Sequence, residues 1–224
     1  MEPHYGQFSY DFAHLLGAGV LVLSFGLLYQ RRTNSVVNIY AAQAVLLAAA
    51  AAWQGYAQGA AQLYITALIT LGAKGIAIPF AMHAMIRRLN IQRSVEPALG
   101  VFPSMAMGVA LVALAILVVL PVTFESHALT REDLALALSV VLLGQLVMIS
   151  RRTAMTQVIG FMSLENGLIL AAVSVAGMPL IVELSVAVLI LVAFTVFGIF
   201  FFRIRERFDS LEVRHFDAIS STPR

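Results

Sequence analysis

Apolar residues occur along this chain in long blocks, parted by short polar stretches rather than alternating with them. Seven blocks run over 11–30, 35–54, 63–86, 99–121, 133–150, 154–176 and 180–202. Each is close to the ~20 residues needed to cross a hydrocarbon core as a helix. Their length and their Ala, Leu and Gly content favour helices over the strands of a barrel. The pattern predicts an all-α protein, a polytopic membrane helix bundle of seven transmembrane helices.

The polar breaks repeat. Blocks one and five both end at Arg-Arg-Thr, at Arg31-Arg32-Thr33 and Arg151-Arg152-Thr153. Blocks three and seven both end in arginines, Arg87-Arg88 and Arg203-Ile204-Arg205. Laying Val36–Leu46 against Val158–Leu168 sets Gln43 opposite Glu165. This predicts two parallel three-helix units, 1–97 and 123–205, related by an axis along the membrane normal and joined by a linker helix over 98–122. The tail, 206–224, spaces Phe208, Leu211, His215, Phe216 and Ile219 as an amphipathic helix that either lies on headgroups or docks on a partner.

Composition narrows the class. The chain is 60% hydrophobic and 12% charged with a mean hydropathy of +0.90, which excludes an ordinary soluble domain. In a seven-span arrangement all the arginines except Arg131 fall on one side, so the positive-inside rule assigns that side to the cytoplasm. The expected protein is multi-pass in the cell (inner) membrane, with its N-terminus outside and its C-terminus cytoplasmic. The net charge of +2 follows from this asymmetry and calls for no nucleic-acid partner. Residues 1–10 lack a positive n-region and a small-residue cleavage pattern, so no removable signal peptide is expected there.

Little conventional chemistry is available. There are no cysteines, which excludes iron–sulfur ligation and cysteine-bound nickel or zinc within this subunit. The five histidines are scattered without metal-ligand spacing. No cofactor, metal or catalytic residue is expected in the chain.

What remains are two charges deep in apolar blocks. Glu165 and Lys74 each lie thirteen residues from the nearest arginine pair, Arg152 and Arg87 respectively. At ~1.5 Å per residue that is about 20 Å, well inside a bilayer. An ionisable group there costs at least about 2.5 kcal/mol on insertion scales and marks a functional site by default. Glu165 suits a proton relay, against the plainer role of a protonated glutamate bonded to a neighbouring helix. Lys74 shares a helical face with Thr66 and Thr70, and Pro79 leaves the carbonyl of Gly75 without its donor, so a kink is expected beside it. It is either a relay residue or the counter-charge to an acidic partner. Asn166 adjoins Glu165. His83, nine residues after Lys74 and roughly on the opposite face, is a possible further step or a packed histidine. Gln43, Asn38 and Gln145 are expected to hydrogen-bond between helices. Trp53 and Tyr56 suit interfacial anchors.

The run Ile159-Gly160-Phe161-Met162-Ser163-Leu164-Glu165-Asn166-Gly167, preceded by Arg151-Arg152, resembles the hydrogenase-4 component E family. The run GAKGIAIPFAMHA around Lys74 and Pro79 looks like that family's third helix. The likeness extends from about residue 15 to 207. It implies a membrane subunit of a group 4 nickel–iron hydrogenase complex, such as formate hydrogenlyase, similar to the K subunit of complex I and the C subunit of multisubunit cation/proton antiporters. Its implied partners are antiporter-like membrane subunits and hydrogenase-like peripheral subunits, and Glu165 matches the membrane glutamate of the K-like subunits. One departure stands out. K-like subunits carry a second acidic residue in their third helix, whereas 182–202 here has only Glu183, at its outer end.

The expected function is thus a non-catalytic subunit that contributes buried charges to a proton-translocation path. The alternatives are a free-standing small transporter and a structural assembly subunit.

Overall fold

A computed structural model of the chain describes residues 3–88, 100–122 and 128–174. These are helical almost throughout: α1 (Pro3–Tyr29), α2 (Thr33–Gln58), α3 (Ala61–Ile69), a π-helical stretch Thr70–Ala77, α4 (Ile78–Arg88), α5 (Val101–Val122), α6 (Ala128–Ser150) and α7 (Ala154–Ser174). Because α3, the π-helical stretch and α4 run on as one rod, the described residues contain six segments long and apolar enough to cross a membrane. They correspond to the first six predicted blocks. The seventh block (180–202) and the tail lie outside the described residues, as does the polar stretch at 89–97.

Local chemistry sets the breaks. α2 stops at Gly59, which adopts φ 65°, and the N–H of Ala60 turns back to Gly55 O at 3.1 Å. Glycine takes that left-handed angle without a Cβ penalty. In the third span the irregularity expected at Pro79 takes the form of widened turns ahead of it. Ile78 N–H still reaches Ala73 O in the wide register, and Pro79 then falls at the start of α4, where a missing N–H is tolerated.

The helices pack as two hairpins, α1–α2 and α6–α7, set face to face with α1 on α6 and α2 on α7. The paired helices run parallel. His14 of α1 meets Asp133 of α6 at 3.2 Å toward one end, while Arg151, just past α6, reaches the last carbonyls of α1 at the other. In α2 and α7, Gln43 meets Ser163, and Gln58 donates to Val173 O at 3.3 Å further along both helices. Val20, Leu47, Ala137, Val140 and Leu170, drawn from all four helices, form one core cluster. The third span packs chiefly on α2, and α5 lies against α6 and α1.

α6 and α7 approach closely because glycines face backbone. A Cβ on Gly144 would overlap the backbone of Leu164, and one on Gly160 or Gly167 would come within 2.8 Å of the nitrogen of Met148 or Val141. Small residues at such contacts are how helices associate in lipid, where burial of apolar surface supplies no drive. The outward faces are correspondingly apolar: Phe102 and Leu117 on α5, Leu68 and Phe80 on the third span. Ser104, by contrast, is buried on α5 and donates to Gly100 O at 2.9 Å.

Candidate functional site

Lys74 lies at the midpoint of the span Ala61–Arg87, and Glu165 within a residue of the midpoint of Ala154–Ser174. The fold brings them together. Lys74 Nζ is 2.6 Å from Glu165 Oε1, and the two residues are only 6% and 3% exposed. Since the third span packs chiefly on α2, the link to α7 is made by the length of the lysine side chain.

The ion pair continues into a row of neutral groups. Lys74 Nζ donates to Asn166 Oδ1 at 3.1 Å, and Asn166 Nδ2 donates to Gln43 Oε1 at 3.2 Å. Gln43 Nε2 donates to Ser24 Oγ at 2.7 Å and Ser163 Oγ at 3.1 Å. The row ends where the Ser24 hydroxyl donates to Val20 O, one turn back on α1. Helical spacing explains the convergence. Ser163 and Asn166 are three residues apart and share the face of α7 that meets α2, while Glu165 is turned from that face toward Lys74. On α2, the alanines beside Gln43 keep the helices close enough for a single amide to touch both neighbours.

Four of the predicted residues therefore meet at one place: Glu165, Lys74, Gln43 and Asn166. Thr66 and Thr70 are buried on the same face of the third span as Lys74. His83 is not brought in; it is half-buried one turn into α4, where Nδ1 donates to Pro79 O at 2.7 Å. The bonding between helices expected of Asn38 and Gln145 does not occur among the described residues, for both are exposed.

Two participants were not singled out by sequence. Ser24 is an isolated hydroxyl in an apolar block, a weak signal that becomes meaningful only opposite Gln43. Tyr40, one turn before Gln43 on α2, is fully buried and feels the charge of Glu165. Its hydroxyl and Glu165 Oε2 have no hydrogen-bond partner among the described residues.

A second buried charge serves a different purpose. Arg151 is 3% exposed, and its Nη2 donates to the carbonyls of Leu27, Leu28 and Gln30 at 2.7, 2.9 and 2.7 Å. It caps α1, whose last carbonyls would otherwise lack donors and carry the negative end of the helix dipole. Burial, and secondarily the nearby Arg31 charge, push its guanidinium pKa down from the ordinary arginine value, but arginine remains charged at any physiological pH.

Fold and site together define the class: a helical bundle of the membrane-protein type, with six described segments long and apolar enough to cross a membrane and a charged pair at mid-span. The chain is 27% identical over 205 residues to a curated protein of Mycobacterium tuberculosis (strain ATCC 25618 / H37Rv), the uncharacterized protein Rv0085; the match spans 91% of this chain and 92% of that one. No family model matches the chain, and no solved structure does.

Proposed function

We propose that the chain is a non-catalytic membrane subunit of an energy-converting hydrogenase complex of the formate hydrogenlyase type. In this reading it crosses the cell (inner) membrane seven times with its N-terminus outside, and its two halves are parallel repeats. Lys74 and Glu165 form one station of a proton path shared with antiporter-like neighbours. The observation that carries it is the buried Lys74–Glu165 pair at mid-span. Well-packed apolar residues in place of a buried ion pair are often neutral or stabilising by about 1–4 kcal/mol, so such a pair is weak evidence of a stability role. A carboxylate and an ammonium in contact can exchange a proton with no net charge created in the low-dielectric interior, which is what a relay station requires. The likeness around Glu165-Asn166-Gly167 supplies the kind of complex.

Purification of the tagged chain in mild detergent tests the proposal. The expected result is recovery with a hydrogenase-like large subunit and antiporter-like membrane subunits. A homogeneous free protein would instead favour a small transporter using the same pair. In the intact complex, Glu165→Gln is expected to weaken the subunit, as loss of either partner of the pair does, and to lower proton pumping in vesicles by far more than it lowers assembly. Normal pumping with normal assembly would leave Glu165 a structural residue.

A further inference from the structure

The polar row that starts at Lys74 runs one way. Lysine donates to Asn166, Asn166 to Gln43, Gln43 to Ser24, and Ser24 to a backbone carbonyl. Two of its members are carboxamides. A carboxamide donates through N–H bonds that do not ionise and accepts through an oxygen that does not hold a proton near neutral pH. Turning either amide over would change which atom faces which neighbour but not this property. The row therefore orients the ammonium and lowers the cost of its charge, and it stops protons from leaving toward α1.

The ion pair occupies one carboxylate oxygen of Glu165. Its other oxygen is enclosed and unpartnered among the described residues, and so is the hydroxyl of Tyr40. Both residues are more than nine-tenths buried. Tyr40 is three residues from Gln43 and so on the same side of α2, the helix that packs both on α7 and on the stretch carrying Lys74, whose side chain meets Glu165. Its electrostatic coupling to Glu165 fits that placement. A phenol, unlike an amide, can donate and accept at once. A buried polar group without a partner is destabilising, and one water bonded to both would satisfy each.

We propose that the Tyr40 hydroxyl and Glu165 Oε2 share a buried water site, with Tyr40 as the positioning residue, and that the carboxyl proton of Glu165 is exchanged through this site and not along the amides. At the site, the proton on Glu165 Oε2 passes to the water oxygen as that water returns one of its own protons (a deuteron in D2O) to the carboxyl, so that carboxyl and water are both left neutral. The use of this proton for translocation rests on the function proposed above; the existence of the site does not.

Infrared difference spectroscopy on the purified full-length protein tests it without any pumping assay. In the neutral form of the pair, in which Lys74 has passed its proton to Glu165, the protonated carboxyl band of Glu165 is assigned by its loss in Glu165→Gln, and its exchange is followed after transfer to D2O. Tyr40→Phe keeps the ring and removes only the hydroxyl. It is expected to raise the band's frequency, as a carbonyl does on losing a hydrogen bond, and to slow exchange about tenfold, the effect of roughly 1.4 kcal/mol on a barrier. Gln43→Leu is expected to slow it less. An unshifted band with wild-type exchange in Tyr40→Phe, or equal slowing by Gln43→Leu, would overturn the proposal. Should Tyr40→Phe fail to fold, the wild-type protein still decides. A weakly bonded water O–H band that changes with the carboxyl band is expected, and its absence would overturn the site. Failure to co-purify with hydrogenase-like subunits would leave this infrared result untouched, so the two claims fail separately.

Discussion

Lys74 and Glu165 stabilise one another only as a pair, and that determines how single substitutions behave. Breaking a buried ion pair by removing one partner costs about 3–5 kcal/mol, because the survivor is left charged without compensation. Lys74→Met is therefore expected to lower the thermal midpoint in detergent, and more so at higher pH, where the abandoned carboxyl must give up the proton that could neutralise it. The double variant Lys74→Met/Glu165→Gln is expected to recover most of the loss. Thermal unfolding followed by tryptophan fluorescence across pH measures both. A double variant no more stable than Lys74→Met would mean that the ion pair is not what holds these residues in place. Gln43→Leu should do much less, since hydrogen bonds between helices in a membrane average only about 0.6 kcal/mol.

Among the elements, the α6–α7 contact and the third span make opposite demands on glycine. At Gly144 an added methyl would meet the backbone of Leu164, which cannot move without shifting the whole helix. Gly144→Ala is expected to cost about 1–3 kcal/mol by overpacking and to displace Glu165, which follows Leu164 directly. Gly72, in the π-helical stretch, meets nothing within 4 Å, and Gly72→Ala should be neutral or slightly stabilising. Melting temperatures of the two variants, measured side by side, test the contrast; equal effects would argue against the close helix approach. The π-helical stretch also sets where Lys74 points. Each residue of an α-helix turns about 100°, so tightening these wide turns by one residue would carry the ammonium off the face it shares with Thr66 and Thr70.

For the whole molecule, the parallel pairing of the hairpins is held at one end by Arg151. Arg151→Ala leaves two carbonyls of α1 and that of Gln30 just beyond it without their donor, and the expected result is looser association of α1 with α6. Arg151→Lys keeps the charge but loses the planar fork, so rescue should be partial. Faster hydrogen exchange at the end of α1 in both variants, greatest for alanine, is the expected readout. The absence of native cysteine makes the proposed orientation simple to test. Ala57→Cys and Arg32→Cys place single thiols at exposed positions at opposite ends of α2. In intact cells a membrane-impermeant maleimide is expected to label the first and spare the second; the reverse pattern would invert the topology.

Much of the fold follows from local pattern alone. Block length and composition determined that the described residues are helical, and Arg-Arg-Thr at residues 31–33 and 151–153 marked where two spans end. Glu165, Lys74, Gln43 and Asn166 were legible as candidates because a polar group in an apolar block is costly wherever the helix goes. What those groups do to each other was decided only by tertiary packing. Depth along a helix can be counted from residue numbers, but the direction a side chain faces depends on how helices turn against their neighbours. Hence sequence could put Lys74 and Glu165 at similar depth and not in contact, and it counted Arg151 as a surface charge when the fold buries it against α1. Ser24 and Tyr40 carried little local signal, since an isolated hydroxyl in an apolar span usually bonds its own helix or lies at a surface. They acquire a role only when α1, α2 and α7 close around them, because a hydrogen bond between helices depends on separations of a few ångströms that no one-dimensional pattern encodes.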